Sequence, residues 1–198
     1  MTAQIILASA SPRRRELLDQ IAVSYIIHPA DIDETAKPAE NARDYVIRIA
    51  AEKSAACQSS VATKLPILAA DTSVVINNII LGKPDNEAHA IEMLQQLSGN
   101  RHYVYSAVSF RSAKGMGDKI FHHQALSITE VNFRALGLKE IKAYWRTGEP
   151  EGKAGAYAIQ GLASVFVESI KGSFSGVVGL PLFETAGLLS KQGIKTIT

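Results

Sequence analysis

An acidic residue between two apolar runs is the first candidate for chemistry in this chain. Asp71 follows Ile-Leu-Ala-Ala at residues 67–70, and a second apolar run begins at Ser73. The pattern predicts that Asp71 lies at a break between two buried strand segments. Burying an unpaired carboxylate is costly, so this one must be solvated in a cleft, paired with a cation or bound to a metal ion. The simpler alternative is that Asp71 only ends a strand.

A lysine follows shortly after this acid, in the Gly-Lys-Pro sequence at residues 82–84. Asn77-Asn78 predicts a two-residue hairpin turn, after which residues 79–81 return as a strand. This corner can hold the ammonium of Lys83 near the cleft at Asp71. Alternatively, Lys83 is a solvated loop charge.

Three arginines at residues 13–15 follow a predicted buried strand at residues 4–8. Ser11 is a good helix N-cap and Pro12 a good first helical residue. Free N–H groups and the dipole at a helix N-terminus favour an anion. Arginines there oppose the dipole, so helix stability does not explain them, whereas their planar forks suit phosphate oxygens. The alternative is a solvated basic turn.

Carboxylates and a lysine also precede Asp71 in the chain. The loop at residues 28–34 carries Asp31, Asp33 and Glu34, which repel one another unless they are solvated or share a cation such as Mg²⁺ or Mn²⁺. A helix is predicted over residues 41–57, and Lys53 falls on its apolar stripe four residues after Ile49. Lys53 either extends its amine to solvent at the rim or points into a cleft toward an anionic ligand.

A glutamine near the carboxyl-terminal third could recognise a base. Gln160 is predicted at a strand end just before Gly161. Its amide both donates and accepts hydrogen bonds, as a nucleobase edge requires. The alternative is a hairpin with a polar end residue.

Strands and helices alternate along the remainder of the chain. We expect Asp85 to cap a helix ending near Leu97, residues 112–118 to form an exposed loop, and the histidines to be solvated or capping. The other predicted elements are strands at residues 25–27, 103–110, 124–133 and 163–170 and helices at residues 138–146 and 182–191.

Composition narrows the class of protein. The 198 residues include 46% hydrophobic and 20% charged residues, which is ordinary for a globular protein, and the net charge of +2 gives no support to a nucleic-acid coat or a membrane surface. The single cysteine, Cys57, excludes an internal disulfide framework and suits a reducing cytoplasm. No run reaches membrane-spanning length, and no signal peptide is evident.

Taken together, these pieces resemble the Maf family, named for septum-formation inhibition. The matching pieces follow the family order over nearly the whole chain: ASASPRR at residues 8–14, DE at 33–34, EK at 52–53, ADT at 70–72, LGKP at 81–84, LSG at 97–99, TGEP at 147–150, KAG at 153–155, IQG at 159–161 and VVGLPL at 177–182. The resemblance implies one domain over residues 1–198. Its expected fold is α/β, related to inosine triphosphatases, with an elongated mixed sheet flanked by helices and two lobes around a central cleft.

The resemblance also implies an activity: hydrolysis of a nucleoside triphosphate between its α- and β-phosphates, with a divalent cation, Mg²⁺ or Mn²⁺. Arg13, Asp71-Thr72 and the stretch at residues 159–161 resemble the branch that acts on dTTP and UTP. The cellular role that the resemblance implies is house-cleaning, the removal of unwanted nucleotides from the pool, with a link to the arrest of cell division. A cytoplasmic homodimer that binds neither nucleic acid nor membrane is expected.

The implied roles fall on nine residues. Asp71 would activate the attacking water and, with Glu34, hold the metal ion. Phosphate and base would be bound by Ser9, Arg13, Arg14, Lys53, Thr72, Lys83 and Gln160.

Two departures and two alternatives accompany the resemblance. Gly152 stands where many members carry an aspartate, whose contribution is lost unless Glu151 substitutes, and Phe174 stands where a tyrosine is usual. The chain could instead bind nucleotides as a regulator of division without useful turnover, although a pure binder would not need a carboxylate facing the phosphates. Within enzymes, the alternative is a pyrophosphatase for modified nucleotides.

Overall fold

The computed structural model describes residues 2–113 and 121–196. Two short 3₁₀ helices, Ala154–Ala156 and Leu162–Phe166, lie between the helix Leu138–Trp145 and the strand Val167–Lys171. The remaining elements, in chain order, are β1 (Ile5–Leu7), α1 (Pro12–Gln20), β2 (Tyr25–Ile27), α2 (Ala42–Ser60), β3 (Ile67–Ile76), β4 (Ile79–Leu81), α3 (Glu87–Leu97), β5 (Arg101–Arg111), β6 (His122–Phe133), α4 (Leu138–Trp145), β7 (Val167–Lys171), α5 (Phe174–Val178) and α6 (Leu182–Ser190).

The strands form one seven-stranded sheet in the order β2-β1-β3-β5-β6-β7, with β4 paired to β3 outside this path. β1 is parallel to β2 and to β3, and all other pairs are antiparallel. The predicted mixed α/β sheet flanked by helices is therefore confirmed.

Hydrophobic residues pack in two large clusters toward opposite ends of the long strands. One cluster includes Leu68 of β3 and Phe110 of β5, together with residues of β1, α1 and α6. The other includes Ile76 of β3 and Val104 of β5, together with residues of α3 and α4. The two clusters correspond to the two lobes expected from the sequence.

One edge of β3 is left open between these lobes. β5 pairs with β3 along residues 67–75. On the opposite edge, β1 pairs only as far as Leu68 and β4 only from Val74 onward. Within the described ranges no strand covers residues 69–73 on that side. The polar residues of β3 lie at this opening.

The predicted strand break at Asp71 is wrong. β3 continues through Asp71, which is in register with Ala107 of β5. The backbone needs no break, because β5 pairs with β3 on both sides of Asp71. The Asp71 side chain points away from the sheet and contacts the Lys53 amine. The idea that Asp71 only ends a strand is therefore wrong as well.

The predicted hairpin at Asn77-Asn78 is confirmed. Both residues have positive φ, 49° and 64°, as a two-residue turn between twisted strands requires. The prediction that Asp85 caps α3 is wrong by one residue. Asn86 is the N-cap, and its side chain accepts a bond from the backbone N–H of His89.

Four other predictions need correction. Gln160 lies in a turn between the two 3₁₀ helices, not at a strand end, and the strand expected over residues 163–170 begins only at Val167. His102 is fully buried, not solvated. Ser112 is buried rather than exposed, and residues 114–118 of that expected loop lie outside the described residues.

Among the helices of residues 2–113 and 121–196, none combines the length and apolar character needed to cross a bilayer.

Candidate active site

One cleft of about 620 Å³ opens beside the uncovered edge of β3. All nine residues singled out from the sequence line it: Ser9, Arg13, Arg14, Glu34, Lys53, Asp71, Thr72, Lys83 and Gln160. Residues far apart in sequence thus meet at one place.

The centre of the cleft is a lysine held between two carboxylates. The Lys53 amine lies 2.8 Å from Asp71 Oδ1 and 2.8 Å from Glu34 Oε1. Lys53 is 8% exposed and Asp71 6% exposed, so their charges are largely removed from water and stabilise each other. The alternative in which Lys53 extends its amine to solvent is wrong.

Glu34 is the more accessible of the two carboxylates, with 43% of its side chain exposed. Burial raises its pKa, but the hydrogen bond and charge of Lys53, aided by Lys83 and Arg14, outweigh that effect and leave the pKa below its usual value. Glu34 is therefore ionised at neutral pH. The neighbouring Asp31 and Asp33 are exposed and do not line the cleft, so the acidic loop contributes one carboxylate, not three.

α2 positions both Lys53 and the loop that carries Glu34. The helix begins after Asn41, whose side chain accepts a hydrogen bond from the Asp44 N–H. The Tyr45 hydroxyl donates to the backbone carbonyl of Glu34 at 2.9 Å, and Arg48 donates to the carbonyl of Thr35 at 3.2 Å. Because these anchors come from the same helix as Lys53, the distance between its amine and Glu34 is fixed locally.

The turn from β1 into α1 supplies the cationic wall. Arg14 Nε donates to the Gly179 carbonyl at 2.9 Å, and Arg14 Nη1 donates to Ser9 Oγ at 3.0 Å. Ser9 Oγ also accepts from the Ser11 N–H at 3.2 Å. Burial lowers the pKa of Arg14, while the Asp71 carboxylate raises it. The guanidinium is thus held in a defined place beside the first turn of α1.

Thr72 faces the opposite side of β3 from Asp71. The Ser106 hydroxyl donates to the Gly176 carbonyl at 2.6 Å, and Thr72 Oγ1 lies 3.0 Å from Ser106 Oγ. A hydroxyl has one proton to donate, so Ser106 accepts in its contact with Thr72, and the Thr72 proton goes to Ser106 at 3.0 Å in preference to the Gly179 carbonyl at 3.5 Å. Thr72 therefore presents lone pairs, as an acceptor, on the cleft side.

The loop after α4 closes the other wall. Lys83 and Gln160 are exposed at the rim, and the Gly155 N–H donates to the Gly82 carbonyl at 3.0 Å. Gly155 has φ +67°, and a Cβ there would lie 2.9 Å from a methyl group of Val74. Only glycine lets this loop reach the corner that carries Lys83.

Tyr45 and Lys153 also line the cleft, and neither received a role from the sequence. Tyr45 lies on α2, and Lys153 belongs to the KAG stretch at residues 153–155. Burial lowers the pKa of Lys153, and the nearby charge of Arg13 lowers it further. In the sequence, the signal for Lys153 is the single lysine of the KAG stretch. Gly152 also lines the cleft, with open space beside its Cα, and Glu151 is exposed.

The donors suited to a divalent cation are few. Asp71 and Glu34 offer hard carboxylate oxygens, which match Mg²⁺ or Mn²⁺. No group of three or more His, Cys, Asp or Glu side chains in metal-binding arrangement occurs among residues 2–113 and 121–196. A cation here would need other oxygens, such as those of a phosphate ligand, to complete its shell.

Comparison with known proteins gives one consistent result. A family described as Maf-like protein matches residues 4–192. A Methylococcus capsulatus protein named dTTP/UTP pyrophosphatase is 52% identical over 193 residues, covering 98% of this chain and 93% of that protein. A protein of the same name from Colwellia psychrerythraea is 48% identical, covering 96% of this chain and 89% of its own.

A more distant likeness exists among solved structures. The Ham1 protein of Staphylococcus aureus superimposes with a TM-score of 0.47 and 16% sequence identity, covering 65% of this chain and 71% of that one.

Proposed function

Because the chain belongs to the Maf family, we propose that it hydrolyses dTTP and UTP between the α- and β-phosphates, releasing the nucleoside monophosphate and pyrophosphate. The observation that carries the proposal is the Lys53 amine fixed between Asp71 and Glu34 in a cleft walled by arginine and lysine side chains. The names of the curated relatives supply the substrate class.

The cationic groups bind and orient the triphosphate. Phosphoryl transfer depends mainly on positioning and on stabilising charge around phosphorus. Arg14 is fixed by Ser9 and Gly179, and Arg13, Lys83 and the first N–H groups of α1 face the same space. These donors hold the non-bridging oxygens and stabilise the pyrophosphate as it leaves.

Asp71 acts as the general base. A water molecule loses a proton to the Asp71 carboxylate as its oxygen bonds to the α-phosphorus, and the bond from that phosphorus to the bridging oxygen breaks. The Lys53 amine orients the Asp71 carboxylate. Its positive charge also offsets the repulsion between the carboxylates of Asp71 and Glu34. The proton then leaves Asp71 to solvent through the open cleft.

Asp71 and Glu34 are also the residues that would hold Mg²⁺ or Mn²⁺ together with phosphate oxygens. When bound, a divalent cation neutralises the phosphate charge and keeps the triphosphate in one orientation. The carboxylates fit this role by donor type and by their shared position on the Lys53 amine.

Base selection falls to Gln160 and Thr72, with Arg13 close enough to influence it. The Gln160 amide can both donate and accept, and Thr72 presents an acceptor. Thymine and uracil each present one N–H flanked by two carbonyl groups. The donor and acceptor groups of Gln160 and Thr72 can pair with this edge of the base.

The chain functions as a single domain over residues 1–198, in a cytoplasmic homodimer, and it removes surplus or modified pyrimidine nucleotides from the pool. These points rest on the family likeness. A link to division arrest stays a prediction from the family name.

Product identification tests the activity directly. The protein is incubated with dTTP, UTP, the other canonical triphosphates and modified pyrimidine triphosphates, with Mg²⁺ or Mn²⁺, and the products are separated by anion exchange. We expect monophosphate and pyrophosphate, fastest from dTTP or UTP. Nucleoside diphosphate with orthophosphate would refute the proposal, and binding without turnover would favour the regulator instead. In ¹⁸O-labelled water, label in the monophosphate supports attack on the α-phosphorus.

A further inference from the structure

A carboxylate outside the cleft holds the turn that carries Gln160. Glu149 Oε2 accepts a hydrogen bond from the Leu162 N–H at 2.8 Å. Glu149 Oε1 accepts from the Ala163 N–H at 3.1 Å and from the Tyr144 hydroxyl at 2.8 Å. Leu162 and Ala163 begin a 3₁₀ helix whose first residues have no side-chain cap of their own. Glu149 thus satisfies the free N–H groups directly after Gln160 and Gly161.

Glu149 and Tyr144 together also hold the turn on the amino-terminal side of Gln160. The Ala158 N–H donates to the Tyr144 hydroxyl at 3.2 Å, and that hydroxyl in turn donates a hydrogen bond to Glu149. Tyr144 is buried, and its ring packs edge-on against Phe166 at 5.0 Å. The turn is therefore held at both of its ends by one connected pair of side chains.

A glycine leaves the space that this carboxylate occupies. A Cβ built on Gly161 would lie within 2.7 Å of all three atoms of the Glu149 carboxyl group. Three hydrogen-bond donors hold the Glu149 carboxyl group at this position. A methyl group added at Gly161 would therefore have to displace the carboxyl group from these donors. Neither Glu149 nor Tyr144 lines the cleft, whereas Ala158 and Gln160 do.

We propose that Glu149, through Tyr144, is the positioning residue that sets the base selectivity of this enzyme by fixing the turn at residues 158–161. The inference rests on the proposed hydrolysis of pyrimidine nucleotides and on Gln160 reading the base. It gives the TGEP stretch a role that its sequence alone did not. All three partners donate to the carboxyl group, so the role requires the ionised acid and not merely a polar side chain.

The carboxylate is ionised in this setting. Burial raises the pKa of Glu149, but bonds from Leu162, Tyr144 and Ala163 outweigh it and bring the pKa below its usual value. Glutamine in its place offers one acceptor oxygen, and its amide nitrogen would face an N–H donor. The turn should then relax without loss of the surrounding core.

The test compares kcat/KM for dTTP with that for dCTP, which presents an amino group and a bare N3 in place of the thymine O4 and N3–H and also lacks the 5-methyl group. We expect Glu149→Gln, Tyr144→Phe and Gly161→Ala each to lower the dTTP preference roughly tenfold, since small displacements of a positioning group carry costs of this order. Gln160→Ala should lower it by roughly 5- to 100-fold, the cost of an unpaired buried donor or acceptor. The double variant Glu149→Gln with Gln160→Ala should lose no more than Gln160→Ala does, because both act through one contact.

Two controls separate positioning from general damage. Glu92→Gln removes an exposed carboxylate on α3, and Ile141→Val removes one buried methyl group from the same lobe while leaving the hydrogen bonds of the turn in place. Both should keep the dTTP preference, even where Ile141→Val lowers Tm as much as Glu149→Gln does.

The outcomes distinguish this inference from the proposed function. If the unmodified enzyme converts dTTP to dTMP and pyrophosphate but all three variants keep its preference, the positioning role is overturned while the activity stands. Additive losses in the double variant would overturn it too. If the unmodified enzyme does not hydrolyse dTTP, the proposed function fails, and no preference exists for Glu149 to set.

Discussion

At the scale of single residues, we propose that Lys53, Asp71 and Glu34 decide the chemistry. The amine is bonded to both carboxylates at 2.8 Å, and Lys53 and Asp71 are almost fully buried. Removing either charge leaves the other side unbalanced, so catalytic and structural effects have to be separated by measurement.

Asp71→Asn removes the proton acceptor and keeps the shape of the side chain. Turnover should fall about 10²- to 10⁴-fold, as expected for loss of a general base. Nucleotide affinity should be retained, because Arg14, Lys83 and the α1 N-terminus are unchanged. Thermal stability should fall modestly, because Lys53 keeps Glu34 as its only carboxylate partner in the cleft. The measurements are steady-state kinetics, nucleotide binding and Tm on one preparation.

The control for this variant is Glu168→Gln, which removes an exposed carboxylate on β7. It should leave turnover near that of the unmodified enzyme. If Asp71→Asn retains activity within a few-fold, the base lies elsewhere, and Glu34 is the next candidate.

Lys53→Met keeps the length of the side chain and removes its charge. Two carboxylates then face each other without the amine, so catalysis should fall sharply. Like charges raise the pKa of a carboxylate, and a raised folded-state pKa means that protonation favours the fold. The variant should therefore gain stability, relative to the unmodified protein, as the pH falls from about 7 to about 5. Urea unfolding at several pH values measures this, with Lys64→Met, an exposed site, as control. Unchanged activity would end the cleft role of Lys53.

At the scale of elements, the turn between β3 and β4 places the corner that carries Lys83. Asn77 and Asn78 both adopt positive φ, which glycine tolerates best and alanine poorly. Neither asparagine lines the cleft, so a substitution in the turn should act first on stability and reach the cleft only through β4.

Asn78→Gly should keep or raise the free energy of unfolding by up to about 1 kcal/mol, whereas Asn78→Ala should lower it by about 1 kcal/mol. Both variants are compared by urea denaturation, with kcat as the second readout. Because β4 leads directly to Lys83, Asn78→Ala should also raise KM more than it lowers kcat. Equal stability of the alanine and glycine variants would contradict the assigned turn geometry.

At the scale of the whole molecule, a buried histidine ties stability to pH. His102 is fully buried, its Nε2 lies 2.9 Å from the Tyr157 hydroxyl, and its ring meets Phe133 edge-on. Burial lowers the pKa of His102 to about 4, against a small raising effect from the Asn100 backbone. Between pH 6.5 and 4, the unfolded chain therefore binds a proton that the folded protein excludes.

Stability should fall as the pH drops through this range, by about 3 kcal/mol in total from His102, since each pKa unit corresponds to about 1.4 kcal/mol. His102→Gln should remove this part of the pH dependence, whereas His28→Gln, at a partly exposed site, should not. Urea unfolding of the three proteins from pH 8 to pH 4.5 provides the comparison. An equally steep loss in His102→Gln would contradict the prediction.

The sequence by itself determined what depends on near neighbours in the chain. The Asn77-Asn78 turn, the start of α1 at Ser11-Pro12 and the place of Lys53 on the apolar stripe of α2 were all predictable, because caps, turns and helical periodicity act over a few residues. The mixed α/β class and the set of cleft residues also came from the sequence, the latter through the order of short motifs shared with one family.

Only the tertiary structure decided what depends on distant partners. β3 runs through Asp71 because β5, more than thirty residues later, pairs with it, and because Lys53 of α2 meets the carboxylate. The turn at Gln160 and the burial of His102 likewise depend on contacts made across the fold. Pairing and burial are set by which surfaces meet, and no local pattern around these residues carries that information.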